Sequence, residues 1–126
     1  WVEFTGQVST EQLYRLYHRT TIFVFPTLYE SQGVVLVEAM AFGLPVLASK
    51  IGPILDVVSL EEGSALLIDP YNTEEIAQAI IKLFHDEALR SELSVKGRKL
   101  TSSRFPWSRI AQDMLAMYGE LVQGQG

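Results

Sequence analysis

Three short apolar runs, Ile22-Phe23-Val24-Phe25, Val46-Leu47-Ala48 and Leu66-Leu67-Ile68, punctuate the chain, and each gives way to a stretch with helical periodicity. Runs without polar alternation suit strands covered on both faces, and strands separated by helices pair in parallel through crossovers. The chain is thereby directed to an α/β fold with a Rossmann-like parallel sheet, in which Ile22 to Phe25 reads as a central strand. Val2 and Phe4 predict a further short strand over Trp1 to Phe4, ended by Thr5-Gly6. At 126 residues, 48% hydrophobic and 20% charged, the composition is that of one globular domain and excludes intrinsic disorder.

The helices follow from spacing and caps. Ser9 and Gln12 stand at capping-box distance, and Leu13, Leu16 and Tyr17 share a face, which predicts a helix from about Thr10 to Arg19. Val34-Val35-Leu36-Val37 suits a strand as well as a helix, but Glu38-Ala39-Met40-Ala41 are helix formers. Gly43 then stands where a left-handed cap belongs and Pro45 follows as a stop. A helix over about Val34 to Phe42, apolar nearly all round and so buried, is the reading. Pro53 to Ser59 makes a short helix or loop. Asn72 and Glu75 start a helix with an Ile76, Ala77, Ile80, Ile81 and Phe84 stripe. Two more helices are predicted, from about Glu87 to Leu100 and from Pro106 to about Val122, so the C-terminus is helical, with residues 123 to 126 a frayed end.

Several function classes drop out. Residues 1 to 87 hold 12 acidic and 4 basic side chains, whereas residues 88 to 126 hold 3 acidic and 6 basic. An acidic body of this kind disfavours nucleic acid, whose phosphates need a basic surface. The basic cluster Lys96, Arg98, Lys99, Arg104 and Arg109 is either a solvated helix face or a surface for peripheral contact with an anionic membrane or a partner domain. No apolar run reaches the roughly 18 residues of a membrane span. There is no cysteine, so neither disulfides nor a thiolate site, and no signal-peptide pattern, which points to the cytoplasm. A chain that opens at Trp1, without Met, is expected to be a piece of a longer protein.

The chemistry concentrates between Pro26 and Gly43. In parallel α/β sheets ligands bind beyond the carboxyl ends of strands, over helix N-termini. Gly33 lets the backbone approach a bound group, and the amides of Gly33, Val34 and Val35 begin a helix whose N-terminal dipole attracts phosphate. Glu30 precedes this end and Glu38 lies about five residues inside it, some 7 to 8 Å along the axis at roughly 1.5 Å per residue. Two carboxylates so separated suit a ligand with hydroxyls on both sides of a diphosphate. An ionised Glu38 on so apolar a helix needs donors. Either a ligand supplies them or the protein does, through a backbone amide or Lys50. Glu30 has a plainer alternative as an exposed loop carboxylate beside a positive helix end. His18 and His85 stand alone on helix faces and read as structural.

The stretch Phe25-Pro26-Thr27-Leu28-Tyr29-Glu30-Ser31-Gln32-Gly33 through Glu38-Ala39-Met40-Ala41-Phe42-Gly43-Leu44-Pro45-Val46 resembles the donor-site signature of family-4 retaining glycosyltransferases of the GT-B fold, with its two glutamates separated by seven residues. Phe4-Thr5-Gly6, Leu66 to Pro70, Glu75 to Ile81 and Phe105-Pro106-Trp107 are similar to further landmarks in the same order, so the resemblance spans nearly the whole chain. It implies that Glu30 sits by the donor sugar as the catalytic residue, that Glu38 holds the ribose hydroxyls, and that Gly33, Val34 and Val35 serve the diphosphate. It implies retaining transfer of a sugar from a UDP- or GDP-sugar to an acceptor hydroxyl, with the donor as substrate, no separate cofactor and no metal.

Residues 1–126 would then be a partial donor-binding domain, the C-terminal half of a GT-B enzyme. Its first two βα units and the acceptor domain would be missing, the sheet gapped or altered at its edge between Trp1 to Phe4 and Ile22 to Phe25, and the isolated chain inactive. Ser31 and Gln32 depart from the family's Gly and aromatic, Asp56 from its Glu, and Gly52 from paired glycines. Gly63-Ser64-Ala65-Leu66-Leu67 resembles a variant of mannosyl-transferring members, a lean toward GDP-mannose. The departures support a rival reading, a non-catalytic interaction domain that keeps the fold.

Overall fold

The structure, a computed structural model, describes residues 2–58, 63–106, 108, 111, 112 and 114. Three strands, β1 (Phe23–Phe25), β2 (Val46–Ser49) and β3 (Leu66–Ile68), form a parallel sheet in the order β1-β2-β3. Phe23 pairs with Val46 and Phe25 with Ala48, while Leu47 pairs with Leu66 and Ser49 with Ile68. Around them run α1 (Thr10–Arg19), α2 (Val34–Ala41), α3 (Gly52–Val58), α4 (Thr73–His85) and α5 (Glu87–Arg104).

Because side chains of a strand alternate between faces, β2 feeds two separate cores. Val46 and Ala48 pack with Leu36, Ala39 and Met40 of α2, Ile54 and Val57 of α3, Tyr17 of α1 and Leu100 of α5. Leu47 points the other way, to Ile68, Ala79, Leu83 and Leu93 of β3, α4 and α5. Helices thus cover both faces of the sheet, the arrangement the undifferentiated apolar runs demand.

The predicted elements from α1 to α5 are found, with ends displaced by a few residues at most. Ser9 caps α1 through the reciprocal bonds with Gln12, Asn72 accepts from the Glu75 amide at the start of α4, and Pro53 sits in the first turn of α3. The helix expected from Pro106 to Val122, and the end at 123–126, fall mostly outside the described residues.

Two expectations are corrected. Val2 to Phe4 form no strand, and Phe4 is 94% exposed. A strand exists by pairing, and among the described residues β1 pairs only with β2, so Val2 to Phe4 have no strand partner and β1 is left as an open edge. For the same reason β2, buried at all four positions, is the central strand, and β1 is a half-buried edge. An apolar run shows that both faces are covered and is silent about edges.

Candidate functional site

The segment between β1 and α2 takes its shape from three side chains and one glycine. Thr27 Oγ1 donates to the Tyr29 carbonyl at 2.7 Å, closing a turn that leaves Leu28 and Tyr29 exposed at its tip. Glu30 follows, and its Oε1 accepts from the Ser31 amide at 2.8 Å and the Gln32 amide at 3.2 Å, with the Ser31 hydroxyl at 3.5 Å. The N–H groups of Gln32, Ser31 and Gly33 hold this carboxyl below the usual carboxylate range. Gly33 then takes φ +65, a left-handed step that turns the chain into α2. A Cβ there would stand 3.3 Å from both Ile54 Cδ1 and Leu36 Cδ1, so the position is tight as well as left-handed.

Past this step the Val34 and Val35 amides have no hydrogen-bond acceptor among the described residues, which leaves two donors at the positive end of α2. Val34, Val37, Glu38 and Ala41 lie along one side of the helix, as spacings of three and four require. With Gln32, Val57 of α3 and Phe105 they line a groove of about 420 Å³. Among the described residues, Glu38 is the one acidic residue in that mainly apolar lining.

The donor that satisfies Glu38 comes from α1. Tyr17 Oη donates to Glu38 Oε2 at 3.2 Å. Its ring is 6% exposed and stacks on Phe42, with centroids 5.0 Å apart and planes at 27°. Burial first, and then the charge and hydrogen bond of Glu38, push the Tyr17 hydroxyl up to about 12. The protein partner considered from sequence, Lys50, is exposed and makes no bond to Glu38, and among the described residues no backbone amide does so either.

The structure therefore brings Val34 and Glu38 together in the groove lining, while Glu30 and Gly33 belong to the segment that leads into α2 and are not part of that lining. Val35 is not part of the lining; its amide is one of the two free donors at the start of α2. His18 packs edge-on against Phe42 and His85 against Phe84, as structural aromatics. Among the basic residues of α5, Lys96 pairs with Glu92 at 2.6 Å, the Arg98 guanidinium lies over Gly43, and Arg104 sits over the Phe105 ring. Arg109 lies outside the described residues. Asp56 is on the exposed side of α3.

Two participants escaped the sequence reading. Tyr17 was visible only as part of an apolar stripe, although a tyrosine on a buried face needs a partner for its hydroxyl, just as Glu38 needs a donor. Phe105 reaches the groove from the far end of α5, a contact that only the tertiary fold creates.

Residues 1–100 match the sequence family described as glycosyl transferases group 1. The chain belongs to that family. Mannosylfructose-phosphate synthase of Agrobacterium fabrum is 35% identical over 98% of this chain and 26% of its own length. Sucrose-phosphate synthase from Thermosynechococcus elongatus has a solved structure similar to this one, with a TM-score of 0.85 and 34% identity over 97% of this chain and 30% of that chain. Anabaena Alr3699/HepE, solved in complex with UDP and glucose, shares the fold at a TM-score of 0.82 and 24% identity, over 94% of this chain and 32% of that chain. The group 1 chain thus has the Rossmann-like fold of GT-B glycosyltransferases and spans between a quarter and a third of the lengths of these relatives. No helix among its described residues is long and apolar enough to cross a membrane.

Proposed function

We propose that this chain is the donor-binding part of a retaining glycosyltransferase that takes a hexose from a nucleoside diphosphate and passes it to an acceptor hydroxyl. One observation carries the reading: α2 opens with two unpaired amides, at Val34 and Val35, and about one turn further on the same helix Glu38 lines the groove together with Val34. The Val34 and Val35 amides, with the helix dipole, take the diphosphate, and the left-handed step at Gly33 sets the direction in which α2 presents them. Glu38, about one turn further on, accepts from the ribose hydroxyls. Glu30 stands at the sugar end. As the bond from the anomeric carbon to the diphosphate breaks, charge grows on the leaving phosphate, where fixed amides stabilise it without reorganisation. A bond from the same carbon to the acceptor oxygen replaces it with retained configuration, and the acceptor's proton passes to the leaving diphosphate.

The donor is a UDP- or GDP-sugar used as substrate, with no separate cofactor. The Ala65 variant favours GDP-mannose, in keeping with the mannosyl product named for the Agrobacterium relative. The acceptor domain and the cationic grip on the diphosphate belong to parts of the protein that precede this one, and this chain alone does not turn over. A cytoplasmic protein, held at a membrane surface through basic residues, completes the reading.

In the full-length protein, titration with UDP, GDP and ADP should find one tight nucleotide. Glu38→Ala should weaken it at least about tenfold, as expected for a lost hydrogen bond to a charged group. Glu30→Ala should depress turnover far more than nucleotide binding. A second reading, a non-catalytic interaction domain, draws on the way Glu30 folds back onto the amides of its own loop. A protein that keeps its biological role with both substitutions would favour that reading and discard the first.

A further inference from the structure

A carboxylate that must accept from two neighbouring hydroxyls works best when its own orientation is fixed before the ligand arrives, because an unrestrained glutamate loses rotamer freedom on binding. Glu38 has one such restraint. Tyr17 Oη reaches its Oε2 at 3.2 Å and leaves Oε1 with no partner among the described residues. The tyrosine is itself held at several points. Its ring stacks on Phe42 at 5.0 Å, lies 6.0 Å from Phe23 of β1, and is 6% exposed. Phe42 stands four residues after Glu38, so the Tyr17 ring and hydroxyl together span one turn of the same side of α2. The helix that carries Tyr17 is closed at its start by the reciprocal Ser9 and Gln12 bonds.

We infer that Tyr17 is a positioning residue: its hydroxyl anchors one oxygen of Glu38 so that the other is presented to the vicinal hydroxyls of a ribose. The inference rests on the reading of Glu38 as the ribose acceptor. A tyrosine suits the task better than a lysine would, because it donates one directed hydrogen bond without neutralising the carboxylate. Its proton also stays in place throughout the physiological range, since burial and the adjacent charge oppose its loss. The hydroxyl reaches the ligand only through Glu38, so Tyr17 is expected to matter for ligands that carry ribose hydroxyls and not for others.

That difference supplies the test. In the full-length protein, equilibrium binding is measured for UDP or GDP, whichever binds more tightly, and for the 2′,3′-dideoxy form of the same nucleotide. The proteins compared are the unaltered one, Tyr17→Phe, Glu38→Ala and the double variant. Tyr17→Phe keeps the ring that packs on Phe42 and should weaken the ribonucleotide by about tenfold while the dideoxy form changes by less than about twofold. In the Glu38→Ala background the same change should have no further effect, the non-additivity of two groups acting as one. Equal weakening of both nucleotides would make Tyr17 a packing residue and overturn the inference, as would undiminished ribonucleotide binding by Tyr17→Phe. If Glu38→Ala itself leaves the preference for ribose hydroxyls intact, the ribose reading of Glu38 has failed and the role of Tyr17 falls with it. A loss confined to Tyr17→Phe being absent, with Glu38→Ala behaving as expected, removes Tyr17 alone.

Discussion

At the residue scale the site is defined by two carboxylates with opposite surroundings. Glu30 faces backbone amides at the loop, and Glu38, half-buried in the groove lining, faces the phenol of Tyr17. The Tyr17 hydroxyl has a folded-state value of about 12, above its ordinary value of 10.0. Below pH 10 both folded and unfolded chains keep the proton, so the contribution to stability is whole. Between pH 10 and about 12 the unfolded chain loses it first, and stability falls with rising pH. Urea unfolding across that window should show a decline that Tyr17→Phe reduces. For Glu30 the sign is reversed: its carboxyl is lowered, so its contribution is present at neutral pH and is lost on acidification through that lowered value. Gly33→Ala should cost about 1–2 kcal/mol from the left-handed backbone alone, and more from the contacts to Ile54 and Leu36, as read by the same unfolding experiment. The glutamate spacing, Gly33 and the α2 amides were legible in the sequence because each depends on neighbours in the chain. Tyr17 was not, since its partner lies 21 positions away on another helix.

At the element scale α2 is the piece on which the rest depends. Its start is shaped by Glu30 and Gly33 and its end by a glycine turn: the Gly43 amide bonds to the Met40 carbonyl and the Leu44 amide to that of Ala39, at 2.9 and 3.0 Å. Gly43 has φ +77, and the apolar Leu44 beyond it is buried, so the stop foreseen at Gly43 and Pro45 is a Schellman turn. Between these ends α2 lies against α5, where Gly97 brings the helices close. A Cβ at Gly97 would stand 3.1 Å from Met40 Cγ. Gly97→Leu should therefore cost on the order of 1–3 kcal/mol through overpacking, despite the better helix propensity of leucine, and denaturant melts of the two proteins would show it. Periodicity and caps predicted where α2 and α5 run. Their mutual contact was hidden, because a glycine in a helical pattern gives no sign of what approaches it.

At the scale of the whole molecule the three-stranded sheet has a fully buried centre and a half-buried margin. In the 126-residue chain, backbone amides of β1 should exchange with solvent faster than those of β2, since β1 has a strand neighbour on one side only among the described residues. Exchange of β1 as slow as that of β2 would mean that some other segment covers its edge. The sequence had placed β1 in the centre, because apolar runs report burial of faces and not the order of strands. Strand order is a property of the assembled sheet.

The way α2 ends has one more consequence, for the order in which the molecule is built. The Arg98 guanidinium lies against Gly43 and donates to the Phe42 carbonyl at 3.4 Å, and Leu100 closes the core beneath Met40. These partners are emitted by the ribosome 56 positions or more after the carbonyl they serve. Local sequence and the nearby β2 can hold α2 early in synthesis, but its contacts are complete only once the distant α5 stretch has been made.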